Sequence, residues 1–267
     1  MPYFIHDYHR LHYRECGQGP LLLVLPGNTA SSACHDGEIA HYSTRYHVVC
    51  LDFLGTGRSD RVPLWPDDWW AWGAYDAAAL ARHLGEERCL VLGTSGGAIA
   101  ALWLGILYPQ MVSAIVADST VEYFPPASIE AGLSDRAQCR PDQRAFWRHA
   151  HGDDWRQVVA ADCLLLRRLA ERGGDWLHGR LNEIRCPVLL TASRADAMLP
   201  DVERQFAHMR AQIADSEVLL ANEGNHPLMW SQPDAFRAVA DPFLQRHAAL
   251  SWPQSASEGN LQWAIGL

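Results

Sequence analysis

The chain contains no lysine: its 22 lysine-or-arginine positions are all arginine. That absence removes Schiff-base chemistry, Ser–Lys dyads and the lysine that a phosphate-cradling G-K-[ST] loop requires. Positive charge is scarce altogether. The arginines face 31 carboxylates, for a formal net charge of −9, and such a surface does not offer the basic face that nucleic acid demands. No apolar run approaches the roughly 18 residues of a membrane span. Neither a nucleic-acid nor a membrane partner is therefore expected. The opening MPYFIHDYHR has neither the basic start nor the apolar stretch of a secretory signal. The seven cysteines, at 16, 34, 50, 89, 139, 163 and 186, are odd in number and form no CxxC pair. Neither a disulfide framework nor a zinc cluster is indicated, and the expected setting is reducing and cytoplasmic.

What is present is a strict alternation. Leucine-rich or β-branched runs recur at Leu21–Leu25, His47–Phe53, Cys89–Leu92, Ala114–Ala117, Val188–Thr191 and Glu217–Leu220, each followed by turn residues. None shows period-two patterning, which predicts strands covered on both faces of a parallel sheet. Helical patterns lie between them at Tyr75–Leu84, Ala98–Leu107, Val202–Ile213 and Asp234–Arg246. The segment Tyr3–Glu15 reads as an edge hairpin turning near Asp7-Tyr8. The expected fold class is α/β, a doubly wound, mostly parallel sheet of about eight strands. From 122 to 185 no strand pattern occurs, and prolines and glycines separate several helical stretches, including Gln157–Glu171. The expected organisation is a core of 1–121 and 186–250, a helical insertion at 122–185 and an exposed tail at 251–267, where Trp252 and Trp263 are candidate anchors.

Gly93-Thr94-Ser95-Gly96-Gly97 fits G-x-S-x-G at the junction of a strand and a helix. In that context the serine occupies a strained turn that exposes its hydroxyl at a helix N-terminus, where developing negative charge is favoured. A serine is a weak nucleophile unless a base takes its proton and a third group orients that base. His226 follows the last strand run in Glu223-Gly224-Asn225-His226-Pro227, and Asp196 follows the preceding one, giving the chain order Ser…Asp…His. Asp118, just past Ala114–Ala117, is the rival acid. Acyl transfer also needs donors for an oxyanion. The N–H of Gly96 is one candidate. The N–H of Asn28, in the loop after the first buried strand, is the other, with its side-chain amide able to assist.

These segments together resemble the α/β-hydrolase family over nearly the whole chain. Leu25-Pro26-Gly27-Asn28-Thr29-Ala30-Ser31-Ser32 is similar to the family's oxyanion loop, with Pro26 where histidine is usual. Asp52-Phe53-Leu54-Gly55-Thr56-Gly57-Arg58-Ser59 matches its D-x-x-G-x-G-x-S turn, which is structural there, so Asp52 and Arg58 receive no catalytic role. The insertion lies where the family carries its cap. The resemblance implies a serine hydrolase acting on a small-molecule ester or ester-like substrate without metal or cofactor. Lactone, amide or C–C bond hydrolysis, peroxide chemistry and a non-catalytic ligand receptor on the same fold remain alternatives, and the oligomeric state is left open.

Tyr123, Phe124, Trp147 and Trp155 are candidate pocket walls from the insertion, and Met229 and Trp230 from beside His226. The tryptophans at 65, 69, 70 and 72 fit helix-to-sheet packing better than recognition. Arg148-His149-Ala150-His151-Gly152-Asp153-Asp154 nearly spells the H-x-H-x-D-H of dinuclear metal hydrolases. Asp154 stands where the last histidine belongs, however, and the stretch reads better as a polar helix end.

Overall fold

The computed structural model describes residues 2–251, so the tail expected at 251–267, including Trp252 and Trp263, lies outside the described residues except for Ser251, which closes the last helix. Strands β1 (Tyr3–His6) and β2 (His9–Cys16) form the edge hairpin. Its turn residues Asp7 and Tyr8 have φ of 46° and 66°, the left-handed pair whose twist suits a two-residue hairpin. Strand β3 (Leu21–Leu25) is followed by the short helix α1 (Asp36–Tyr42) and β4 (His47–Leu51). Then come α2 (Trp69–His83), β5 (Cys89–Thr94), α3 (Gly96–Leu107) and β6 (Val112–Asp118).

The insertion supplies α4 (Pro126–Ala137), α5 (Pro141–His151) and α6 (Trp155–Glu171). Pro126 and Pro141 each open their helix, where a missing N–H costs nothing. The chain re-enters the sheet at β7 (Val188–Ser193) and continues through α7 (Val202–Gln212), β8 (Ser216–Ala221), α8 (Leu228–Ser231) and α9 (Pro233–Ser251).

The eight strands lie in the order β1-β2-β4-β3-β5-β6-β7-β8, with β2 antiparallel to both its neighbours β1 and β4 and every other pairing parallel. The missing period-two pattern has a direct cause. Leu21, Leu23 and Leu25 enter one core with α2 and α3, whereas Leu22 and Val24 enter a second with Ile39, Phe236 and Phe243. Both faces of the central strands are thus covered.

Strand β8 departs from the expectation, since no position on it is fully buried. It is the last strand of the sheet and pairs only with β7. Helix α2 begins at Trp69 instead of Tyr75. Tertiary packing outweighs weak aromatic helix propensity there: Trp65 and Trp69 stack with ring centroids 4.5 Å apart, and both are buried.

The chain turns one way from β3 to β4 and the other way to β5. The carboxyl ends of β3 and β5 therefore border the crevice where open α/β sheets bind ligands.

Candidate active site

Ser95 stands between β5 and α3 with φ 53° and ψ −125°, a region costly for any residue but glycine. Its neighbours are small out of necessity. A methyl group on Gly97 would lie 2.0 Å from the carbonyl oxygen of Leu25, and one on Gly93 would lie 2.3 Å from that of Gly97. The backbone is anchored by Ser95 N–H donating to the Asp118 carbonyl at 2.8 Å. The hydroxyl consequently emerges at the crevice, at the start of α3.

The structure brings Ser95, His226 and Asp196 into one hydrogen-bonded chain. Ser95 Oγ and His226 Nε2 are 2.9 Å apart, and His226 Nδ1 and Asp196 Oδ2 are 2.7 Å apart. A carboxylate only accepts, so Nδ1 carries the proton and Nε2 is left to accept from the hydroxyl. Asp196 is itself held, its Oδ1 accepting the Met198 N–H at 2.9 Å. Its side chain is 1% exposed and that of His226 14%, so the acid is shielded while the imidazole stays reachable.

Asp118 is engaged elsewhere. It is wholly buried and accepts from Thr191 Oγ1 at 2.7 Å, the Met229 N–H at 3.2 Å and Thr94 Oγ1 at 3.3 Å. Burial pushes its carboxyl up to about 6. Those bonds tie the ends of β5, β6 and β7 to the segment after His226.

The loop after β3 closes on the serine: a methyl group on Gly27 would come within 3.0 Å of Ser95 Cβ. Gly27–Ala30 is a β-turn, with Ala30 N–H donating to the Gly27 carbonyl at 3.0 Å. Asn28 occupies its second position and Thr29, at φ 56°, its third. Gly96 is the first residue of α3, where a backbone N–H has no preceding turn to bond.

The side chain of Asn28 adjoins Gly96, and a methyl group there would meet its Oδ1 at 1.8 Å. That oxygen accepts from Trp70 Nε1 at 3.0 Å, while Nδ2 donates to Asp162 Oδ1 at 2.7 Å. Any help from the amide is therefore limited to its second Nδ2 hydrogen. Asp162 is fully buried and its other oxygen pairs with Arg136.

Of the expected wall residues, Tyr123 is bracketed by Gln205, which accepts its N–H at 3.0 Å and donates to its carbonyl at 2.8 Å. Phe124 packs on Trp176 at 5.4 Å. Trp147 and Trp155 stack on each other at 5.5 Å, and both are buried. Met229 lies in the core beneath α9, and Trp230 donates to Glu38 at 3.3 Å. No hydrogen bond joins these residues to Ser95 or His226.

Sequence reasoning missed the two side chains that hold the Asn28 amide, Trp70 and Asp162. Trp70 lies in a cluster whose pattern fits helix-to-sheet packing. Asp162 left the clearest signal: it falls on the Val158, Leu165, Leu169 stripe of α6, where a carboxylate has no reason to be unless it is paired.

The Alpha/beta hydrolase family profile matches residues 22–239. The human serine hydrolase BPHL is 27% identical over 251 residues, covering 88% of this chain and 83% of that protein. The 2-(acetamidomethylene)succinate hydrolase of Mesorhizobium japonicum is 30% identical over 179 residues, covering 65% and 62%. Among solved structures, an esterase from Exiguobacterium antarcticum superposes with a TM-score of 0.74 at 18% identity, over 90% of this chain and 97% of that one. At that identity it speaks for the fold alone. The profile spans well over half of the sequence, and on that ground the chain is a hydrolase belonging to the alpha/beta hydrolase family.

Proposed function

We propose that the protein is a cofactor-free serine hydrolase that cleaves a small ester or ester-like substrate through an acyl-enzyme. The observation that carries this reading is the unbroken Ser95–His226–Asp196 chain, with bonds of 2.9 and 2.7 Å. Ser95 Oγ attacks the carbonyl carbon as its proton passes to His226 Nε2. The carbonyl electron pair moves onto oxygen, where the N–H groups of Gly96 and Asn28 receive the negative charge. Collapse expels the alcohol, which takes the proton from Nε2, and leaves the acyl group on Ser95. Water then attacks with Nε2 as base, the acid departs and the serine is restored. Asp196 holds the imidazole in the working tautomer and offsets its transient charge.

The inserted helices act as a cap in this reading. Tyr123 and Phe124 border the pocket, Met229 and Trp230 back the histidine, and the Trp147–Trp155 stack supports the cap from within. The name of the human relative, a serine hydrolase, points the same way. Among the described residues no helix is long and apolar enough to cross a membrane, in keeping with the cytoplasmic setting we propose.

The test is hydrolysis of p-nitrophenyl acetate and butyrate, followed by a panel of lactones and amides with and without peroxide. Ester turnover should fall by about 10,000-fold or more in Ser95→Ala. Retained turnover in that variant would remove the serine from the reaction.

A further inference from the structure

The Arg148–Asp154 stretch does not gather its histidines around a common point; it lies along the loop that carries Asn28. His149 Nε2 donates to the Ala33 carbonyl at 2.9 Å, Ser31 Oγ donates to the Ala150 carbonyl at 2.7 Å, and His151 Nε2 donates to the Thr29 carbonyl at 3.0 Å. Alternate loop residues thus meet successive residues at the end of α5. The His151 ring is used on both sides, since Nδ1 accepts the Gly57 N–H at 3.0 Å. Arg61 secures the same corner, donating to the Gly57 carbonyl at 2.8 Å and pairing with Asp154 at 2.8 Å.

The Thr29 carbonyl is the contact that matters most. A β-branched residue at φ 56° in the third position of a β-turn is strained, and strain of this kind persists only where surrounding bonds over-determine it. The turn is also what aims the Asn28 N–H. We propose that His151 is a positioning residue, whose bond to the Thr29 carbonyl holds the Gly27–Ala30 turn in the conformation that directs the Asn28 N–H at the oxyanion. Burial keeps the imidazole neutral, its pKa pressed down to about 4, so Nδ1 remains an acceptor and Nε2–H a donor. The inserted helices thereby complete the oxyanion site from outside the sheet. This inference rests on the acyl-transfer reading above.

Two conservative variants separate the ring's two bonds. In His151→Asn the side-chain amide reaches only the Nδ1 position, so the Gly57 bond survives and the Thr29 bond is lost. In His151→Gln the amide reaches the Nε2 position and keeps the Thr29 bond. With p-nitrophenyl acetate, kcat of His151→Asn should fall by about 10- to 100-fold with KM little changed, the scale set by a misplaced catalytic group. His151→Gln should stay within a few-fold of the parent. Adding Thr29→Gly to His151→Asn removes the strain and should recover part of the lost kcat.

Amide hydrogen exchange at Ala30, which closes the turn, gives a readout independent of turnover: it should quicken in His151→Asn and not in His151→Gln. Equal kcat in His151→Asn and the parent, or equal losses in the two variants, would overturn the proposal. If the parent shows no ester turnover, the ester reading fails and the exchange pattern alone decides whether His151 holds the turn.

Discussion

Two buried aspartates near the same histidine differ in what surrounds them. Asp196 has one oxygen on a backbone N–H and the other on His226, so its charge is spent on the imidazole. Asp118 divides its acceptor capacity among two threonine hydroxyls and a backbone N–H, joining strand ends to one another. Asp196→Asn should therefore lower kcat by about 10,000-fold, because an amide no longer enforces the Nδ1–H tautomer. Asp118→Asn should cost far less turnover, its effect falling on stability. Steady-state kinetics of both variants on one ester checks the order, and a reversed order would exchange their roles. The rival could not be eliminated from sequence because both residues follow a strand. Only the bonds around each carboxylate separate them.

Helix α6 carries its own conflict between pattern and content. Its buried stripe of Val158, Leu165 and Leu169 also contains Asp162, joined to Arg136 on α4 and to Asn28 in the loop after β3. Removing one member of a buried pair strands the other, at a cost of about 3–5 kcal/mol. The partly exposed Arg136 brings that toward the lower end. Asp162→Ala should accordingly destabilise the protein by about 3 kcal/mol in urea unfolding. The double variant Asp162→Leu, Arg136→Met should recover much of the loss while still leaving Asn28 without its acceptor. If the single variant unfolds like the parent, the pair contributes nothing to stability. The amphipathic period of α6 was legible, but the partner of its one charged core position was not.

Stability of the whole molecule should carry the imprint of His151. Its pKa is pressed to about 4 when folded and returns to roughly 6.5 when unfolded. Between those values the unfolded chain binds more protons, so stability falls as pH drops through the window, by about 3 kcal/mol when complete. Asp118 and Asp76, both raised by burial to about 6, act in the opposite sense. The folded state holds their protons more tightly, and their contribution is lost as pH rises toward 6. A difference curve isolates the histidine: between pH 7 and 4 the parent should lose about 3 kcal/mol more than His151→Gln. Parallel urea-unfolding curves across that range would show that the buried ring is not the source.

The strand–helix alternation, the strained serine junction and the two loops bearing Asp196 and His226 were all readable in the chain. Each is written in contiguous residues: apolar runs feeding two cores, glycines where backbone crowds backbone, and chemistry directly after a strand. The exposure of β8 and the early start of α2 were not readable, because edge position and tryptophan stacking are properties of neighbours. Nor were the bonds from Thr29 to His151 and from Asn28 to Asp162, whose partners lie 122 and 134 positions apart. No local pattern encodes such pairings. They exist only once the sheet has set the loop after β3 beneath the inserted helices, and that meeting decides how the turn bearing Asn28 is held.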